Sequence, residues 1–171
     1  LPYGHQLTSL NLSMVGCNNH HNFLLRYSTI ERIVVKLKSL KNIILAGTNL
    51  CRKSITYICT YLTSTVEKIN LATERVRDSD IRALTNSCPN ITFLNLTETL
   101  VTLDVFQEMA TTWSESMRYL SLPKRITAEL NLASERVRYF QYLEDLPLLW
   151  RQGVINPRDT PILAIIAQFK T

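Results

Sequence analysis

A short pattern of hydrophobic and polar positions, L-x-x-L-x-L, recurs along the chain. Its five copies read LTSLNL, LKNIIL, VEKINL, ITFLNL and MRYLSL, and they begin at residues 7, 40, 66, 91 and 117. The spacings between successive starts are 33, 26, 25 and 26 residues. Three consecutive spacings that agree within one residue predict a repeat architecture, in which each copy belongs to one structural unit.

The alternation inside each copy is typical of a short β-strand with one buried face. Between the copies, hydrophobic residues recur at helical spacing in three places: Ile55, Ile58 and Leu62; Ile81, Leu84 and Cys88; Val105, Met109 and Trp113. A helix that returns the chain to the start of the next strand makes the strands parallel. The pattern therefore predicts an α/β fold, a short right-handed leucine-rich-repeat solenoid with strands on the concave face and helices on the convex face.

The edges of this repeat array are less regular. The first spacing is longer because the polar stretch at 16–22 is typical of a surface loop, and a helix is predicted after it over Phe23–Lys38. Asp78 or Ser79 is expected to cap the helix after the third strand, and Asp104 the next helix. We predict repeats over residues 1–125 and a helical C-terminal cap with a tail over 126–171.

The unit from Val76 to Leu96 resembles the cysteine-containing subfamily of leucine-rich repeats that is typical of F-box proteins. Its helix ends in Cys88-Pro89, directly before the strand pattern, and the turns at 45–48 and 96–99 are similar to the turn that follows the strand in that subfamily. The turn position that often holds Cys or Asn there is occupied here by Val15, Thr48, Glu74 and Thr99. The resemblance covers residues 7–125 and implies a non-catalytic substrate-recognition domain of a ubiquitin-ligase adaptor.

Strand residues between the inward-pointing leucines are expected to line the concave face and to bind a protein partner. The predicted binding set is Asn42, Ile44, Lys68, Asn70, Phe93, Asn95, Tyr119 and Ser121. Lys68 is the only ion in this set, and Phe93 and Tyr119 are neighbours in one column. Exposed aromatic residues on a rigid sheet are good anchors for a partner. The alternative is that the apolar C-terminal tail covers both rings.

Charge is unevenly distributed in this chain of 171 residues, which has a net charge of +5. Residues 1–60 carry seven bases and one acid, whereas residues 61–171 carry 12 bases and 13 acids. The candidate basic docking surface is Arg26, Arg32, Lys36, Lys38 and Lys41. It supports a second hypothesis, a structural or assembly subunit of a larger complex, of which a mitochondrial or a ribonucleoprotein complex is an example. A solvated lysine face is the plain alternative, and nucleic acid is the less favoured partner because Tyr27 alone is interleaved with these bases.

Catalytic and metal-binding patterns are weak. Cys17, His20 and His21 resemble half of a zinc site without a second half, and all three histidines lie within residues 5–21. Phosphate-binding glycine motifs are absent from the sequence. We therefore expect no enzyme activity, no metal and no cofactor.

Cysteine usage and hydropathy bear on the compartment. The four cysteines are too few and too scattered for a disulfide framework, which favours a reducing intracellular compartment, the cytoplasm or nucleus, with the mitochondrion as the alternative. The longest apolar run, Ile162–Ala167, is far shorter than the roughly 20 residues that span a bilayer. No transmembrane segment is expected.

Overall fold

Short strands alternate with helices throughout the computed structural model, which describes residues 6–13, 27–113 and 115–126. The strands are β1 (Ser9–Asn11), β2 (Asn42–Ile44), β3 (Lys68–Asn70), β4 (Phe93–Asn95) and β5 (Tyr119–Ser121). The helices are α1 (Tyr27–Lys36), α2 (Arg52–Tyr61), α3 (Asp78–Ser87) and α4 (Phe106–Trp113), the last preceded by a 3₁₀ turn at Leu103–Val105. Each strand lies at the centre of one L-x-x-L-x-L copy, so the predicted strand positions are confirmed.

The strands form one parallel sheet in the order β1-β2-β3-β4-β5. The register joins equivalent positions of successive repeats: Leu10 pairs with Ile43, Ile43 with Ile69, Ile69 with Leu94, and Leu94 with Leu120. The α/β prediction with parallel strands is therefore confirmed. The predicted cap and tail lie almost entirely outside the described residues, and the division into 1–125 and 126–171 stays a prediction. Residues 23–26 of the predicted first helix lie outside them too.

Within the described residues, one hydrophobic core runs between the sheet and the helices. Every hydrophobic residue named above at helical spacing is buried, from Ile55 in α2 to Trp113 at the end of α4. The one polar group of Trp113 is satisfied, since its Nε1 donates to the carbonyl of Cys88 at 2.9 Å. The Cys88 thiol in turn donates to the carbonyl of Thr63 in the preceding repeat at 3.4 Å. The cysteine of the Cys-Pro motif therefore helps to stack one repeat on another.

The turns after the strands share an unusual backbone. Gly47, Thr73 and Glu98 occupy the same position after β2, β3 and β4, and their φ angles are 69°, 65° and 59°. Only glycine adopts this left-handed conformation without a steric cost, and a β-branched threonine is strained there. The surrounding turn must hold Thr73 and Glu98 in place.

The next residue of each turn is buried and polar. The Thr99 hydroxyl donates to the carbonyl three residues earlier at 2.7 Å, and the single hydrogen of the Thr48 hydroxyl is shared between the equivalent carbonyl at 2.8 Å and the Glu74 carboxylate. Glu74 replaces threonine in the middle turn, and its carboxylate is turned toward the preceding repeat. It accepts hydrogen bonds from the Thr48 hydroxyl at 3.0 Å and from the amides of Asn49 at 3.0 Å and Leu50 at 2.9 Å. This position therefore links β2's turn to β3's turn.

The predicted cap of α3, Asp78 or Ser79, is wrong, since Arg77 holds that place, while the cap by Asp104 stays a prediction. The carboxylate of Asp80, two residues after Asp78, accepts from the Arg77 amide at the start of α3 at 2.8 Å. Asp78 instead accepts from the amide and hydroxyl of Thr102 at 2.7 and 2.6 Å. The Thr102 hydroxyl accepts from the Asp104 amide at 3.3 Å. Several short polar side chains crowd each helix start, and the neighbouring repeat decides which amide each one reaches.

Candidate functional site

The open face of the sheet, the side away from the helices, consists of strand residues that alternate with the buried core residues. In β1 to β4 these are Ser9, Asn11, Asn42, Ile44, Lys68, Asn70, Phe93 and Asn95. Each of them is exposed or half-buried, while the residue between them in β2, β3 and β4 is buried. The parallel register places equivalent residues of neighbouring strands about 4.8 Å apart. Six of the eight predicted binding residues therefore lie together on an accessible surface.

The other two predicted residues are not accessible. Tyr119 is 4% exposed and Ser121 is 0% exposed. The Phe93 ring stacks on Tyr119 with centroids 4.3 Å apart and planes 5° from parallel, and the Ser121 hydroxyl lies 2.7 Å from that of Thr97. Tyr119, one of the two expected aromatic anchors, is therefore buried, as is Ser121, and the expectation that they are accessible is wrong. The alternative, that the C-terminal tail covers both rings, concerns residues outside the described part.

The asparagines on the open face have a fixed orientation. The Asn70 Oδ1 accepts from the Ala72 amide at 3.1 Å, and the Asn95 Oδ1 accepts from the amide and hydroxyl of Thr97 at 3.0 and 2.7 Å. A backbone N–H can only donate, so the atom that it meets must be the carbonyl oxygen of the side chain. Each side chain closes a turn two residues on, as asparagine commonly does. The Nδ2 group of each then points away from the turn.

Lys68 is the ion of this surface. Its side chain is exposed, and in the register it lies between Asn42 of β2 and Phe93 of β4. Glu67, the acid next to Lys68 in the sequence, instead forms an ion pair with Lys41 at 3.1 Å. Within the described residues, Lys68 has no acidic partner.

The predicted basic docking surface is only partly assembled. Arg32, Lys36 and Lys38 are exposed on α1 and directly after it, and Arg32 and Lys36 line a shallow groove with Thr29 and Ile33. Lys41, as noted, is paired with Glu67. Arg26 lies outside the described residues. The unpaired described part of this surface is therefore Arg32 and Lys36 on α1 and Lys38 directly after it.

An aromatic cluster on the helix side is a feature that the sequence analysis missed. The rings of Tyr27 and Tyr57 meet edge to face with centroids 5.5 Å apart, and those of Tyr57 and Tyr61 lie 4.5 Å apart. The Lys53 ammonium sits 4.2 Å from the centroid of Tyr27. The spacing of four between positions 53, 57 and 61 on one helix was the available signal. The interaction is a cation–π contact, which is modest when exposed.

The described cysteines differ in burial, and the pKa values of their thiols differ with it. Burial raises the pKa of the Cys59 and Cys88 thiols. At the exposed Cys51, a hydrogen bond with Ser54 and the nearby Lys53 ammonium lower the thiol pKa. The three cysteines are free thiols. Cys51 is therefore the most nucleophilic thiol among the described residues.

The half zinc pattern of Cys17, His20 and His21 lies outside the described residues. Within residues 6–13, 27–113 and 115–126, no three potential ligands come together around a common point. In the same part of the chain, none of the helices has both the length and the apolar character needed to cross a bilayer.

No known protein family matches the chain, and no curated protein matches it either. Among solved structures, the C-terminal domain of tropomodulin from Caenorhabditis elegans matches with a TM-score of 0.53 and 13% sequence identity. The match covers 89% of this chain and 95% of that one. At this identity the likeness concerns the fold alone. That domain has a leucine-rich-repeat-like fold, so the match is compatible with a solenoid here.

Proposed function

We propose that this protein is a non-catalytic binding domain that holds a partner protein on the open face of its sheet. The observation that carries the proposal is the accessible, rigidly framed surface of β1 to β4. Its half-buried Phe93 and Ile44 supply apolar contact area, and polar side chains surround them. Interfaces commonly combine an apolar centre with a polar rim. The leucine-rich-repeat-like fold of the structural neighbour is consistent with protein binding.

A more specific version is a substrate receptor of a ubiquitin ligase. Its support is the resemblance of the Val76–Leu96 unit, with Cys88-Pro89 at the end of α3, to the F-box type of repeat. In further support, Cys88 is buried and its thiol donates a hydrogen bond to the preceding repeat, so this cysteine serves the stacking of repeats. The partner class expected from this version is a protein that is degraded.

Site-specific photo-crosslinking in cells tests the binding face. A benzoylphenylalanine placed at Asn42 sits on the open face, and one placed at Asn86 sits exposed on α3 as a matched control. Neither asparagine side chain is engaged within the described residues. We expect a discrete crosslinked protein from Asn42 and none from Asn86. A partner captured only from Asn86 would contradict the proposal.

A second candidate function is a complex subunit that docks through α1. It is favoured by the exposed bases Arg32 and Lys36, which border the same groove. Electrostatic docking of this kind weakens in high salt, because exposed charges are screened. Replacing both bases by glutamate should then release the protein from its complex, with Phe93→Ala leaving it bound. Retention of the double variant, in low and high salt alike, would remove this candidate.

A further inference from the structure

The open face presents hydrogen-bond donors in excess of acceptors. The carbonyl oxygens of Asn11, Asn70 and Asn95 are each occupied by the turn two residues on, with distances between 2.7 and 3.1 Å. The Nδ2 groups of these side chains have no hydrogen-bond acceptor within the described residues. Each is a donor of two hydrogens, so the asparagines act as donors toward anything that lies on the sheet.

The charge of the open face favours the same kind of partner as its hydrogen-bond donors do. Lys68 adds an ammonium group with three further hydrogens, and it is exposed. No carboxylate lies among the open-face residues of β1 to β4. Glu67, next in the chain, is engaged with Lys41 at 3.1 Å, and Glu74 is buried at 2% exposure. The face is therefore positive and rich in donors.

Apolar surface adjoins the charge. Lys68 pairs in the register with Phe93, and Asn70 pairs with Ile44 on one side and Asn95 on the other. Adjacent strands are about 4.8 Å apart, so an acceptor over Lys68 and an apolar group over Phe93 fit within one short peptide. Complementarity of charge selects partners more than it adds affinity.

We propose that the partner segment is acidic, an inference that rests on the proposed function. A carboxylate of the segment pairs with Lys68, and its backbone or carboxylate oxygens accept hydrogen bonds from Asn70 and Asn95. An apolar side chain of the segment packs against Phe93. A basic segment would place cations beside Lys68. A neutral segment would leave the ammonium group without its counter-charge.

Two labelled peptides test this partner chemistry. One consists of Glu and Ser around a single Leu, and the other has Gln in place of every Glu. We expect the Glu peptide to bind at low salt about fivefold more tightly than the Gln peptide, as one exposed ion pair allows. The ¹⁵N signals of the Asn70 and Asn95 side-chain amides should shift, while that of Asn86 on α3 should not.

Charge reversal locates the contact. Lys68→Glu should remove the preference for the Glu peptide, and Lys36→Glu, an equal change of charge on α1, should retain it. Equal binding of the two peptides, no binding of either, or loss of the preference with Lys36→Glu alone would overturn the inference. Crosslinking from Asn42 to a neutral or basic segment would overturn this inference while leaving the proposed function standing.

Discussion

At the scale of single residues, Glu74 occupies the least ordinary environment for an acid. Its carboxylate is 2% exposed, yet it accepts one hydroxyl and two amide hydrogen bonds from the preceding turn. A buried carboxylate is tolerated only when its oxygens are satisfied. With its carboxylate, Glu74 therefore links the turn after β3 to the turn after β2.

Replacing Glu74 by Gln should destabilise the protein, because one oxygen becomes an NH₂ group that faces an amide donor. Left without acceptors, buried donors cost about 1–3 kcal/mol. We expect a loss of about 2 kcal/mol in the free energy of unfolding, measured by urea denaturation. Glu98→Gln, in the exposed position of the next turn, is the matched control and should change the stability by less than about 0.5 kcal/mol. Equal effects of both substitutions would contradict the role assigned to Glu74.

Cys51 should be the first described thiol to react with iodoacetamide in the folded protein. Its pKa is lowered from 9.0, mainly by the hydrogen bond with Ser54, so its thiolate forms at lower pH than an ordinary cysteine's. The pH midpoint of the alkylation rate should lie below that of an unperturbed cysteine, and Ser54→Ala should move that midpoint upward. Mass spectrometry assigns the modified residue. Earlier alkylation of Cys59 or Cys88, whose thiol pKa values burial raises, would show that the assigned environments are wrong.

At the scale of elements, two ion pairs join neighbouring helices in different surroundings. Arg52 of α2 binds Asp80 of α3, whose side chain is 0% exposed and also accepts from Thr56 at 3.3 Å. Arg82 of α3 binds Glu108 of α4 at 3.1 Å with both side chains nearly half exposed. Solvent screens the second pair far more than the first.

Breaking these two pairs should therefore have unequal consequences. Asp80→Ala leaves the Arg77 amide without its acceptor and Arg52 without its carboxylate partner, and it should cost about 3 kcal/mol. Glu108→Ala removes an exposed pair and should cost less than about 1 kcal/mol. Thermal and urea unfolding followed by circular dichroism measure both. A larger loss for Glu108→Ala would refute this ranking.

The strands and the buried helix faces could be predicted from sequence because they depend on spacing within one segment. The alternation in LTSLNL or ITFLNL determines on which side of the strand each side chain lies, and therefore which residues form the core. The cap of α3 could not be predicted from sequence, because Asp78 and Asp80 can both reach backbone amides. Contacts with neighbouring repeats, from Thr102 to Asp78 and from Arg52 to Asp80, determine which amide each carboxylate binds.

For the candidate site, the sequence likewise predicts which residues share a face of the sheet but not their surroundings. The period of two places Lys68, Asn70, Phe93 and Asn95 on one face, as the structure has them. It does not tell what lies over that face, so the sequence left the exposure and the covering of Tyr119 as alternatives. The Asn70 orientation also needed the turn, since the sequence does not say which atom of the carboxamide the Ala72 amide meets.

At the scale of the whole molecule, the positive charge and the proposed binding face are largely separate. The net charge of +5 comes from the first 60 residues, and three of their exposed bases, Arg32, Lys36 and Lys38, lie on and directly after α1. The open face carries one cation, Lys68. Salt should therefore affect α1-dependent contacts more strongly than contacts of the sheet.

The affinity of the photo-captured partner for two aromatic variants tests the central claim most directly. Phe93→Ala removes the half-buried ring of the open face, and Tyr61→Ala removes a ring on the helix side that is 55% exposed. Circular dichroism establishes that both variants fold. We predict that Phe93→Ala weakens binding about tenfold, as expected for an aromatic anchor, and that Tyr61→Ala leaves it unchanged. Unchanged binding by Phe93→Ala together with a loss in Tyr61→Ala would contradict the account and place the partner on the helices.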